Sequence, residues 1–217
     1  MERMRLLLVR HGNTFGAGDK VVWVGARTDL PLVEKGRNQA REVGDALNRV
    51  SSRPRAILSG PLRRTQETAT IIAREIGFPV TEIAGDESLR ELDYGKWEGK
   101  SSQEIATAFG PDGLREWEDD TRWPNDAEWS PTEGEVREGI KRLVQRLILN
   151  YRVGDDVVLV SSNGIFRMMA REFVPSLQKN KMATGNISVL KVDETGKAAD
   201  VHWNITPELL NLAYQAK

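Results

Sequence analysis

Three short aliphatic runs constrain this chain more than any other feature. Leu6-Leu7-Leu8-Val9 runs into Arg10-His11-Gly12-Asn13-Thr14, and Ala56-Ile57-Leu58-Ser59 runs into Gly60-Pro61. Val157-Val158-Leu159-Val160 runs into Ser161-Ser162-Asn163-Gly164. Unbroken apolar runs of this length read as strands covered on both faces. Stretches of helical periodicity separate them, so strands and helices alternate. The pattern predicts an α/β fold, a three-layer α/β/α arrangement around a mostly parallel central sheet. In such sheets ligands bind in the crevice beyond the carboxyl ends of the strands. The loops after Val9, Leu58 and Val160 then open at one sheet edge, which brings His11, Arg64 and Ser162 into one neighbourhood.

That edge carries the residues with chemistry. His11 stands between a fixed cation and a glycine. Its imidazole titrates near neutrality and can act as nucleophile or proton carrier. Arg10 offers an anion a planar fork of donors, and Gly12 lets the backbone turn close to a ligand. The plainer alternative is a histidine that ends a strand beside a structural arginine. After Gly60-Pro61, residues Leu62, Ala69, Ile72, Ala73 and Ile76 follow helical spacing, so Arg63 and Arg64 fall in the first turn of a helix. The helix dipole opposes cations there, and a bound anion reverses the penalty. A solvated surface pair is the alternative. The stretch Ser88-Leu89-Arg90-Glu91-Leu92-Asp93-Tyr94-Gly95-Lys96-Trp97-Glu98-Gly99 has no clean periodicity and reads as a structured loop.

Together these segments resemble the histidine phosphatase superfamily, the phosphoglycerate mutase-like group. The matching pieces, in order, are Arg10-His11-Gly12, Asp29-Leu30-Pro31-Leu32-Val33-Glu34-Lys35-Gly36, residues 59–69, and Leu89-Arg90-Glu91 through Trp97-Glu98-Gly99. Trp203-Asn204 is a weaker fifth match. The resemblance implies a phosphoglycerate mutase-like fold in a single domain over residues 1–217. It implies a metal- and cofactor-independent phosphomonoester hydrolase that works through a phosphohistidine on a small phosphorylated substrate. By the same resemblance His11 attacks phosphorus, Arg10 and Arg64 hold the phosphoryl oxygens, and Glu91 serves as proton donor and then base. Asn13 and Thr14 line the pocket. Phosphoryl transfer needs positioning and charge stabilisation on the equatorial oxygens, and arginines supply both.

One departure stands out. The family's second histidine follows a buried strand in a His-Gly context, with an arginine five positions later. Here counting back from Arg167 places Ser162 there, and counting from Gly164 places Asn163 there. The chain has two histidines. The other, His202, lies in Ala199-Asp200-Val201-His202-Trp203, expected to pair as an antiparallel strand with residues 186–192 across a turn at 193–197. A charge-assisted hydrogen bond contributes about 1.5–3 kcal/mol. Its uncompensated loss slows turnover roughly ten- to a few-hundred-fold. Ser162 and Asn163 offer uncharged donors, and both are candidate phosphate-binding residues. The alternative is an impaired family member that binds a phosphorylated ligand as a sensor or interaction protein. Phe15-Gly16-Ala17-Gly18 stands where the family's mutases carry a Trp-Asn pair, which favours hydrolysis over mutase chemistry.

A chain of 217 residues can bury one sizeable core. A net charge of −1 provides no global field for nucleic acid or a membrane, and neither is an expected partner. With no cysteine and so few histidines, neither a disulfide framework nor a metal site is expected. The first apolar run is too short for a signal peptide, so a cytoplasmic location is expected. The resemblance allows a homodimer. A helix is expected over residues 34–50, with Ala40, Val43, Leu47 and Val50 on one face. Ser101 with Glu104, and Thr132 with Glu135, have capping-box spacing. The second box opens a stripe running from Val136 through Ile140, Leu143 and Leu147 to Tyr151, and Thr206-Pro207 marks a last helix start. Residues 110–131 are the least regular. They hold Trp117, Trp123 and Trp129 among Glu116, Glu118, Asp119 and Asp120. They read as part of a lid insert around residues 100–131, or as a surface loop pinned by tryptophans. Acids in a lid disfavour a polyphosphate substrate.

Overall fold

The computed structural model describes residues 4–152, 154–193 and 195–215; the remaining residues of the expected 1–217 domain, Glu194 of the 193–197 turn among them, lie outside the described residues. Six strands form one sheet: β1 (Met4–Arg10), β2 (Ala56–Ser59), β3 (Ala84–Gly85), β4 (Asp156–Ser161), β5 (Ile187–Val192) and β6 (Ala198–Ile205). Their order is β3-β2-β4-β1-β5-β6. β1, β4, β2 and β3 pair in parallel, and β5 is antiparallel to both β1 and β6. Only β5 therefore runs against the others. The three aliphatic runs are neighbours, with Leu7 beside Val158 and Val158 beside Ile57.

The period-two alternation of strand side chains divides each run between two cores. Leu7, Val9, Ile57, Val158 and Val160 pack against α1 (Glu34–Arg49), α2 (Arg63–Glu75) and α7 (Leu210–Gln215) through Val43, Leu47, Ala69, Ile72 and Leu210. Leu6, Leu8, Leu58, Val157 and Leu159 face α3 (Ser102–Phe109), α4 (Pro111–Asp120), α5 (Glu133–Asn150) and α6 (Asn163–Phe173) through Ile105, Trp117, Ile140, Leu143 and Phe166. Each such side chain, fully buried, contributes about 1.5–3 kcal/mol. The layers are those expected from the runs.

Both capping boxes form. Ser101 Oγ accepts from Glu104 N while Glu104 Oε2 accepts from Ser101 N at 2.8 Å, and Thr132 and Glu135 repeat the exchange. Residues 110–131 depart from expectation, because ten of them form a helix. Gly110, at φ 83°, ends α3 and leads into α4, whose first residue is Pro111. The left-handed φ suits glycine, and proline is tolerated at the first helical position. Only Leu114 and Trp117 of α4 are buried. That stripe is too sparse to stand out in an acid-rich sequence.

The loop after β1 meets the first turn of α1 at a pair of glycines. A Cβ on Gly12 would stand 2.2 Å from the Gly36 carbonyl oxygen, and one on Gly36 would stand 2.1 Å from that of Asn13. Gly12→Ala is expected to force these backbones apart at a cost of about 1–3 kcal/mol. A thermal melt should record a fall of several degrees, at roughly 2–4 °C per kcal/mol for a chain of this size. An unchanged melting temperature would show that the loop and α1 separate freely.

Candidate active site

The loop after β1, which carries His11, is held by its backbone. His11 N donates to the Ser161 carbonyl at 3.0 Å, so the ends of β1 and β4 remain joined past the sheet. Gly12 N donates to Thr68 Oγ1 of α2 at 3.1 Å. His11 is buried, with Nδ1 2.8 Å from the Gly12 carbonyl oxygen. A carbonyl only accepts, so Nδ1 carries the proton and the Nε2 lone pair is left free. Burial first, then the charges of Arg10 and Arg64, hold the imidazole well below its usual pKa of 6.5. It is therefore neutral, and nucleophilic at Nε2, at neutral pH.

The arginines are anchored by carbonyls. Arg10 Nη1 donates to the Met182 carbonyl at 2.5 Å. Arg64 is buried in the first turn of α2 and donates to the carbonyls of Thr28 at 2.9 Å and Gly25 at 3.1 Å. Among the described residues neither forms an ion pair, so their charge is left for a ligand. The dipole problem at this helix start has an internal answer: Asp29 Oδ1 accepts from Arg63 N at 2.7 Å. The Arg63 side chain lies outside, 3.8 Å from Glu67.

Glu91 enters from the loop after β3. It is buried, with Oε1 accepting from Leu92 N at 3.0 Å and Oε2 from Gly164 N at 3.2 Å. Burial raises its pKa, while Arg64, the two backbone donors and Arg10 pull the other way. The net upward shift keeps a proton on this carboxyl further towards neutral pH. Neighbouring Arg90 turns outward to Glu87.

A pocket of about 420 Å³ collects Arg10, His11, Asn13, Thr14, Arg64, Glu91 and Asn163. Ser162 is not in its wall. It is the residue before α6, fully buried, and its hydroxyl has no partner among the described residues. Asn163, the first residue of α6, reaches the wall, and its Oδ1 accepts from Met182 N at 2.9 Å. His202 sits on β6 away from the pocket, with Nε2 3.4 Å from Asp200 Oδ1. Among the described residues, no cluster of three or more His, Asp or Glu is placed to hold a metal ion.

His11, Arg10, Arg64 and Glu91, the residues to which the resemblance assigns roles, line one pocket. The family profile described as histidine phosphatase superfamily (branch 1) matches residues 6–206. The chain belongs to this superfamily. It is 28% identical over 226 aligned residues to a glucosyl-3-phosphoglycerate phosphatase of Mycolicibacterium vanbaalenii, covering 94% of each chain. A glucosyl-3-phosphoglycerate phosphatase of Mycobacterium tuberculosis is 33% identical over 138 residues, covering 63% of this chain and 55% of that protein. A solved structure of a mycobacterial glucosyl-3-phosphoglycerate phosphatase superposes with a TM-score of 0.76 at 25% identity, covering 94% of this chain and 99% of that one.

Against that superfamily background, Arg167 and Tyr94 are among the pocket residues to which the sequence assigned no site role. Arg167 lies one helical turn beyond Asn163, is buried, and donates through Nη1 to the carbonyls of Trp117 and Glu118 at 3.0 Å and to Asn180 Oδ1 at 2.8 Å. Its signal was a lone cation inside Ile165-Phe166-Arg167-Met168-Met169-Ala170. Tyr94 lines the pocket too, its ring edge-to-face with Trp23 at 5.0 Å. Of the three tryptophans in residues 110–131, Trp117 reaches the pocket wall beside Glu118. Trp129 stacks behind it at 4.8 Å, and Trp123 completes the cluster 5.2 Å from Trp129. Among the described residues, no helix is long and apolar enough to cross a membrane.

Proposed function

We propose that this superfamily member is a phosphomonoester hydrolase that works through a phosphohistidine. His11 Nε2 attacks phosphorus, the N–P bond forms as the ester P–O bond breaks, and the leaving oxygen takes the Glu91 proton. Glu91, now ionised, removes a proton from a water that attacks phosphorus. The N–P bond breaks, inorganic phosphate leaves, and Glu91 is protonated again. Arg10 and Arg64 hold the phosphoryl oxygens throughout, which concentrates positive charge where negative charge develops. Asn13 and Thr14 line the phosphate end. The observation that carries this reading is the His11 Nδ1 contact to the Gly12 carbonyl, which leaves Nε2 unprotonated in a pocket shared with two arginines that form no ion pair among the described residues.

The substrate is a small phosphomonoester. Its organic part rests against Val22, Trp23, Val24 and Trp117 of the pocket wall, and residues 100–131 act as the lid over it. The relatives named as glucosyl-3-phosphoglycerate phosphatases make phosphorylated sugar acids the first compounds to assay. The test is release of inorganic phosphate from an aryl phosphate and a metabolite panel, with trapping of an acid-labile phosphoenzyme. Turnover with no phosphohistidine would overturn the mechanism. Phosphate-ester binding with no turnover would favour the sensor reading, and transfer between carbons of phosphoglycerate would favour a mutase.

Counting back from Arg167, Ser162 takes the place of the family's second histidine, and the Asn163 amide supplies part of the lost hydrogen bonding. Ser162 is enclosed behind the pocket wall, so the place to restore the imidazole is the neighbouring position in the wall: Asn163→His should hold or raise turnover, by up to roughly the ten- to few-hundred-fold that a charge-assisted hydrogen bond represents. Initial rates on the best panel substrate check this. A collapse of activity in a folded Asn163→His protein would show that the site is built around the smaller residue.

A further inference from the structure

We propose that Tyr94 is a positioning residue for Glu91, its hydroxyl donating to the carboxyl and keeping it aimed at the leaving oxygen. The assignment rests on the reading of Glu91 as acid and base given above. The Tyr94 hydroxyl and Glu91 Oε1 converge on one spot at the start of α6. They lie 2.7 and 2.4 Å from the point where a Cβ on Gly164 would stand. Only a glycine at 164 leaves room for both.

The phenol is fixed from outside. Its ring is gripped edge-on by Trp23 at 5.0 Å and Trp129 at 4.8 Å. The adjoining Asp93 is tied to Ser130 by two backbone hydrogen bonds, at 2.9 and 3.1 Å, and to Arg27 at 2.9 Å. This supplies a rigid support behind a side chain whose own backbone belongs to a loop. The tryptophans of the 110–131 stretch thus reach the reaction through Tyr94.

A hydroxyl suits the task because Glu91 changes protonation state twice per turnover. A phenol O–H donates to a carboxylate and equally to the carbonyl oxygen of a carboxylic acid, whose own O–H stays free for the leaving oxygen. It therefore holds the carboxyl in one orientation in both states. Burial and the neighbouring carboxyl keep the phenol from ionising, its pKa pushed well above 10. The other groups facing Glu91 are Arg10 from β1, Arg64 from α2, Arg167 from α6, and the backbone N–H groups of Leu92 and Gly164. His11 lines the same pocket.

Tyr94→Phe keeps the ring and deletes the hydroxyl. The expected result is a kcat lower by roughly ten- to a hundred-fold, with KM for an aryl phosphate changed less than about twofold and the melting temperature retained. Loss of a donor to the ionised carboxylate raises the pKa of Glu91. The alkaline limb of the kcat/KM profile then moves to higher pH, and phosphoenzyme accumulates because water is activated more slowly. A wild-type rate and profile in Tyr94→Phe would overturn the proposal. So would a loss of rate and melting temperature with the alkaline limb unmoved, since that describes a packing role. Wild-type turnover that survives His11→Ala would overturn the functional reading itself, and this assignment with it.

Discussion

His11→Ala is expected to yield a folded protein with turnover lower by about three orders of magnitude or more, the scale on which removal of a covalent nucleophile acts. The side chain contributes little to folding. Among the described residues its one hydrogen bond is to the adjacent Gly12 carbonyl, and the loop is held by the backbone bonds to Ser161 and Thr68. The arginines keep their carbonyl anchors, so the variant should still bind phosphate and be stabilised by it against heat. Phosphate release with a trapped-phosphoenzyme assay checks both halves. Residual turnover near the wild-type rate would place the nucleophile elsewhere. The same site makes a statement about pH. Since burial, Arg10 and Arg64 depress the imidazole pKa well below 6.5, the nucleophile stays deprotonated on acidification. The acid limb of kcat/KM should lie below pH 6.5 rather than at it.

Glu91→Gln should produce the second-largest loss, and one that depends on the leaving group. General acid catalysis is worth about 10²–10⁴-fold where the departing oxygen needs a proton. Alkyl phosphates should lose activity in that range in the first step. A nitrophenyl phosphate, whose phenolate departs unprotonated, should retain a rapid burst. Water activation is then crippled for every substrate, so phosphoenzyme should build up after the burst. Rapid-quench measurements with the two ester types distinguish the steps. Equal loss of the burst for both would mean that Glu91 serves binding rather than proton transfer. With the acid in place, activity should fall as pH rises through the elevated pKa of Glu91, because only the protonated form can donate.

The phosphate end of the site was legible from the chain because its parts are short and local. Arg10, His11 and Gly12 sit at the end of an apolar run, and Arg64 sits one residue past a helix start marked by Gly60-Pro61. In both cases the side chain is placed by its own strand or helix, and the sheet order brings the ends together. Glu91 was found through resemblance alone, since its loop has no period to read. Arg167 and Tyr94 were missed for a related reason. Arg167 is held by the carbonyls of Trp117 and Glu118 about 50 residues away, and Tyr94 is clamped by Trp23 and Trp129. Neither partnership has a local signature.

Ser162 shows the limit from the other side. Counting from Arg167 assigns it a place in the chain's pattern, but the start of α6 decides which residue meets the ligand. There the Ser162 hydroxyl is enclosed and Asn163 lines the wall. The acid-rich segment behaves likewise: only two side chains of α4 are buried, and its helix is secured by Gly110, Pro111 and packing around Trp117. By itself the sequence determined the layered α/β architecture, the edge at which the chemistry gathers, and the placing of His11 there with Arg10 and Arg64, because periodicity and chain-breaking residues act over a few neighbours. Only the tertiary structure decided the tautomer of His11, the setting of Glu91 against Gly164 and Tyr94, and the third arginine of the pocket. Those depend on burial and on partners that the chain brings together from distant positions.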